Sequence, residues 1–208
     1  VSARNGESND YVKVEKLQFQ VPSRLVTPLV IDLGGDGIST SSVDTSEGVF
    51  DLFGDGQAVR SGWISGEDGF LAIDVNRDGA ISSIDELFGG GVQGDAFQKL
   101  SMFDSNGDGW VSEQDEKYSD LLIWKDVNGD HQSQVDELLS LRSAGVDRIQ
   151  MLYEKGQVLD VNGNLHGDTG HAVLSDGRQV SVVDVHFVTG APGGNEQWSA
   201  FEQSTNMI

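Results

Sequence analysis

Cysteine is absent from the 208 residues, so neither a disulfide nor a thiolate metal site holds this chain together. Proline is scarce: Pro22, Pro28 and Pro192 are the full set, and none follows an aspartate. Basic residues number 13 against 34 acidic ones, a net charge of −21. So one-sided a balance argues against nucleic acid and against anionic membrane surfaces as partners. No apolar run approaches the roughly 18 residues of a spanning helix, which argues against membrane insertion, and no charged-then-apolar signal opens the chain. The chain begins at Val1 rather than at a methionine, which reads as a piece of a longer protein.

What is abundant is aspartate, 23 residues against 11 Glu, together with 27 Gly. Asp disfavours helix interiors and favours caps and turns, so this pairing predicts many tight acidic loops. A merely halophilic surface would scatter its carboxylates, whereas here they cluster in D-x-N-x-D units. The apolar share of 37% still allows a packed core.

Tyr11 to Val21 alternates as a strand does. Further strands are expected at Leu29–Leu33, Val49–Leu52, Gly69–Val75, Arg148–Tyr153, Ala172–Ser175 and Arg178–Val188. Asp176-Gly177 between the last two is a hairpin signal, and the Asp160 stretch also reads as a hairpin turn. Helices are expected near 83–88, 95–103, 112–119 and 133–143, with Leu121–Lys125 open to either state. The predicted class is α+β: EF-hand-like calcium loops and short helices beside small antiparallel sheets, ending in a C-terminal hairpin. Residues 28–189 form the module, flanked by 1–27 and by a tail at 190–208.

An EF-hand loop places oxygen ligands at positions 1, 3, 5, 7 and 12, with glycine at 6 for the sharp turn. The run from Asp104 offers Asp104, Asn106, Asp108, the Trp110 carbonyl and Asp115. The run from Asp126 offers Asp126, Asn128, Asp130, the Gln132 carbonyl and Glu137, with His131 in the glycine place. The run from Asp74 offers Asp74, Asn76, Asp78 and the Ala80 carbonyl, then either Asp85 at position 12 or Glu86 at 13. Two degenerate loops keep Asp32 with Asp36 and Asp51 with Asp55. Singly they read as structural turns; together they could share one ion, with Asp68. The cofactor expected is Ca²⁺, at about three sites with one or two more at the degenerate loops. From Asp74 to Glu137 there are 15 acids and 4 Lys or Arg, so empty loops repel one another.

The runs PLVIDLGGDGI, GVFDLFGDGQA, SGWISGEDGFLAIDVNRDG, ELFGG, FDSNGDG, LLIWKDVNGD and SDGRQVSVVDVHF, in order over 28–188, resemble a calcium-binding module of bacterial RTX proteins. The resemblance implies a large, type I-secreted adhesin or toxin-like protein outside the cell, with neighbouring domains of the same chain as partners. It extends to the self-processing module of FrpC-type proteins. There, an aspartate carboxylate attacks its own peptide carbonyl and expels proline, and the activated aspartyl end can join a lysine. The bond matching that site is Thr27-Pro28, which lacks the carboxylate, so the chain is expected to be no enzyme and to undergo no self-cleavage. The 22-residue spacing from Asp104 to Asp126 also resembles a dockerin repeat, leaving a calcium-dependent protein-binding module as the rival reading. The four histidines share no metal-ligand spacing, and the tryptophans read as core.

Overall fold

The structure is a computed structural model that describes residues 27–90 and 94–190. The strand expected over Tyr11–Val21 and the tail from 191 onward lie outside the described residues.

The described elements run β1 (Thr27–Ile31), β2 (Thr40–Ser41), β3 (Trp63–Ile64), β4 (Gly69–Ala72), β5 (Gly89–Gly90), α1 (Asp95–Ser101) and β6 (Trp110–Ser112). After these come β7 (Leu122–Trp124), β8 (Leu138–Ser140), β9 (Val146–Glu154), β10 (Val158–Leu159), β11 (Leu165–Leu174) and β12 (Gln179–His186). Ten strands form one antiparallel sheet in the order β6-β9-β11-β12-β1-β4-β7-β8, with β10 on β11 and β5 on β1, while β2 and β3 pair apart.

β1 reads TPLVI and is buried throughout, as a central strand covered on both faces must be. Its alternation divides the core in two. Leu29 and Ile31 face one cluster with Phe88, Phe97 and Leu100, and Val30 faces the other with Phe50, Trp63, Phe70 and Trp124. α1 covers the first face: Phe97 lies across Gly170 of β11, where a Cβ would come within 2.7 Å of the ring. A side chain at 170 would push the helix off the sheet.

The α+β expectation does not hold. Among the described residues α1 is the one α-helix; it leads into the Asp104 loop, and no loop has the helix on each side that an EF-hand needs. The helix expected at 83–88 is a 3₁₀ turn at Ile84–Glu86. That at 112–119 is the end of β6 and then a 3₁₀ turn at Tyr118–Asp120, and that at 133–143 contains β8. The cause is competition for backbone groups. Trp110–Ser112 are paired with Gln150–Arg148, and Leu138–Ser140 with Trp124–Leu122. A peptide group committed to a ladder has nothing left for an i→i−4 bond, and these Ser- and Asp-rich stretches have little helix propensity to oppose it. Leu121–Lys125 resolves as β7, between β4 and β8. The Asp176-Gly177 hairpin forms, with Gly177 at φ 87° donating to Leu174 O.

Candidate metal centre

The acidic loops share one backbone design. The carboxylate at each first position accepts amides from later in its own loop. Asp104 takes Gly107, Asp108 and Gly109 N–H at 2.8, 3.2 and 2.9 Å. Asp126 takes Gly129, Asp130 and His131 at 2.7, 3.2 and 2.9 Å, and Asp32 takes Gly35, Asp36 and Gly37. Asp74 accepts from Asp78 and Gly79; Asp51 accepts from Phe53, Asp55 and Gly56. The sixth residue must turn left-handed to aim its amide back. Glycine does so in four loops, and His131, at φ 62°, in the fifth. Asn76, Asn106 and Asn128 each accept the amide of the aspartate two residues on. Asp78, Asp108 and Asp130 in turn accept the amides of Ala80, Trp110 and Gln132.

The closing acids differ. Asp115 accepts from the Ser105, Asn106 and Ser112 amides. Burial raises its pKa, but those bonds outweigh burial and hold the carboxyl below its ordinary value. Glu137 accepts from Val127 and Gln134 amides and from Trp124 Nε1. In the Asp74 loop, the 3₁₀ turn sends Glu86 and Asp85 to opposite sides. Glu86 turns inward, and ligand oxygens of Asp74, Asp78 and Glu86 lie within 4.8 Å of one another. Glu86 Oε2 accepts from Ser82, while Oε1, buried, has no hydrogen-bond partner. Asp85 turns outward to the Asp51 loop, where a Cβ on Gly54 would lie 3.2 Å from its Oδ1. Ile84 N–H donates to Asp51 O, fixing that loop against Ser83–Asp85.

The remaining predicted residues separate. Asp68 lies by the Asp32 loop, accepting Ser39 N–H at 2.9 Å. Burial, reinforced by the charges of Asp32 and Asp36, pushes its pKa up to about 6. Asp55 stays with Asp51, to whose Oδ1 its N–H donates at 3.2 Å, and the neighbouring Gly54 lies against Asp85. The loops also touch the core: Trp63 Nε1 donates to Asp126 Oδ2 at 2.8 Å, and Ser133 Oγ accepts Ile81 N–H while donating to Ile81 O.

Against known families, residues 29–188 match the SPM domain. The chain belongs to the SPM-domain family. A relative, the iron-regulated protein FrpA of Neisseria meningitidis serogroup C, is 32% identical over 166 residues, covering 76% of this chain and 15% of FrpA. Among the described residues of this SPM domain, no helix is long and apolar enough to cross a membrane.

The SPM domain holds a second acidic group that sequence reasoning missed. At the start of β1, Thr27 and Pro28 pair with Gly90 and Gly89, and Leu29 lies opposite Asp184. Asp184 and Asp168 are both fully buried there, and Asp95 packs against Gly90. One signal was available: Asp184 continues the inward row of Val180 and Val182, so a charge falls on an apolar period.

Proposed function

We propose that this SPM domain is a calcium-binding structural module of a large, type I-secreted RTX adhesin or toxin-like protein, folding and stiffening on Ca²⁺ outside the cell. Glu86 Oε1 supports the reading: it is a buried carboxylate oxygen with no protein donor, and its carboxylate lies beside those of Asp74 and Asp78. Asp74, Asp78 and Glu86 would hold one ion with hard oxygens, as calcium prefers. Asp104, Asp108 and Asp115, with Asn106 and the Trp110 carbonyl, are the second candidate set; Asp126, Asn128, Asp130 and Glu137, with the Gln132 carbonyl, are the third. The ion supplies positive charge to carboxylates that otherwise repel. Calorimetric titration of the calcium-free chain should count at least three ions. A titration with no heat, or with none lost in Glu86→Gln, sinks the reading.

A second reading, an autoprocessing module without its cleavage residue, is favoured by the acids gathered at Thr27-Pro28. On this reading the chain itself does not break. Thr27→Asp should yield a calcium-triggered fragment ending at residue 27 on a denaturing gel. An intact variant in saturating calcium rejects the idea.

A further inference from the structure

Asp184 occupies a place built for a valine. On β12 it comes after Val180 and Val182 on the face covered by α1, it has no exposed surface, and neither carboxylate oxygen has a hydrogen-bond partner. The charges facing it are carboxylates: Asp168 on β11 and Asp95 at the start of α1. From β1 the Thr27 hydroxyl lies near it and gives partial relief, but the single proton of that hydroxyl is directed to Gly90 O at 3.4 Å. His186, two residues on along the same row, is a weaker source of positive charge than a free imidazole, because burial lowers its pKa despite the opposing pull of Asp168. Tyr153 of β9 brings its hydroxyl near Asp168 across Gly94. Ionising Asp184 here would bury a charge among like charges, with no basic side chain among the groups that face it.

We propose that a proton held on Asp184 latches the start of β1 to the module. With the proton in place, Thr27–Ile31 stays paired between β12 and β5. When it leaves, the carboxylate is driven toward water and the Leu29–Asp184 pairing opens. The latch therefore governs how firmly the module grips the chain leading into it. This inference is independent of bound calcium.

The latch loosens as pH rises. Burial first, then Asp168 and Asp95, push the Asp184 pKa up to about 7 from 3.8. An opened Asp184 regains the lower value. Between these two values the closed state holds a proton that the open state lacks. Each pH unit then favours opening by about tenfold, and above 7 the gain stops.

Hydrogen exchange of the whole protein in saturating calcium tests this at Leu29, whose N–H donates to Phe88 O at 2.7 Å. Amide exchange itself speeds up about tenfold per pH unit, so Leu29 should climb about a hundredfold per unit below 7 and about tenfold above. Asp184→Asn should show the single tenfold slope throughout. Gly109 N–H, held by Asp104 in an acidic loop, should lack the break in both proteins. A wild-type Leu29 slope without a break overturns the latch. So does a break surviving in Asp184→Asn, or one appearing equally at Gly109, which would report whole-domain opening. Should that variant fail to fold, ¹³C titration of the Asp184 carboxyl in the wild type decides: a midpoint near 7 supports the latch, and one near 4 refutes it.

Discussion

The acidic loops and the acid group at Thr27 use one residue type in opposite ways. In the loops, each first-position aspartate accepts amides of its own turn, and Asp115 is held below its ordinary pKa because its amide bonds outweigh burial. At Thr27 the surrounding amides are committed to β-ladders, and Asp184, deprived of donors, is pushed up to about 7. Local donor supply, more than residue type, decides whether a carboxyl works as an anion or as an acid. A lowered pKa such as that of Asp115 contributes stability at neutral pH that is lost as pH falls through the lowered value. Asp184 does the reverse: its contribution is full below about 4 and is lost as pH rises to about 7.

The largest test of this contrast is calcium removal. For an assumed affinity of about 10 μM in millimolar calcium, each proposed ion would contribute roughly 2.7 kcal/mol, and three would sum to about 8 kcal/mol. That rivals a domain's whole stability of roughly 5–15 kcal/mol. Thermal melts with and without EGTA should separate widely; coincident melts would end the calcium reading. Next, Glu86→Gln should cost about one ion and roughly 2.7 kcal/mol. Asp85→Asn should leave the Asp74 loop's ion in place, as calorimetric stoichiometry will check. Smaller, and opposite in sign, is Asp184→Asn. Chemical denaturation at pH 8 should find it more stable than wild type by about 1–2 kcal/mol, with a neutral amide replacing a buried anion. The gain should fade toward pH 4; a loss at pH 8 would show that Asp184 has a counter-charge there.

Legibility tracked the range of the forces. The Asp176-Gly177 hairpin depends on a local φ and could be read from two residues. The D-x-N-x-D turns also close on their own amides, so their shape is written within six residues. The segments C-terminal to the loops could not be read this way. Leu138–Ser140 and Trp110–Ser112 become strands because β7 and β9, distant in sequence, claim their backbone. The EF-hand frame supplied helices that those pairings forbid. Whether Asp85 or Glu86 closes the Asp74 loop was likewise open, because it turns on one 3₁₀ turn held by Asp51. The three acids at Thr27 come from three separated segments, α1, β11 and β12, and spacing carries no trace of that convergence.

His131 lies between the two regimes and provides the finest test. It holds a loop's sixth place, yet it is buried, stacked on Trp63 at 4.0 Å and 17°, and bonded through Nε2 to Ser46 Oγ at 3.0 Å. Burial lowers its pKa to about 4, so at neutral pH it acts as an uncharged aromatic plate. A left-handed φ costs a non-glycine residue about 1–2 kcal/mol, which His131→Gly would recover. Against that stand the stack, about 0.5–1.5 kcal/mol, and the Ser46 bond, about 1 kcal/mol, as well as the cavity left against Trp63. The balance favours histidine, so the glycine variant should lose about 1 kcal/mol in denaturant melts, with Trp63 emission shifted to the red. A variant more stable than wild type would mean that the loop's turn, and not its grip on the core, sets the residue at this position.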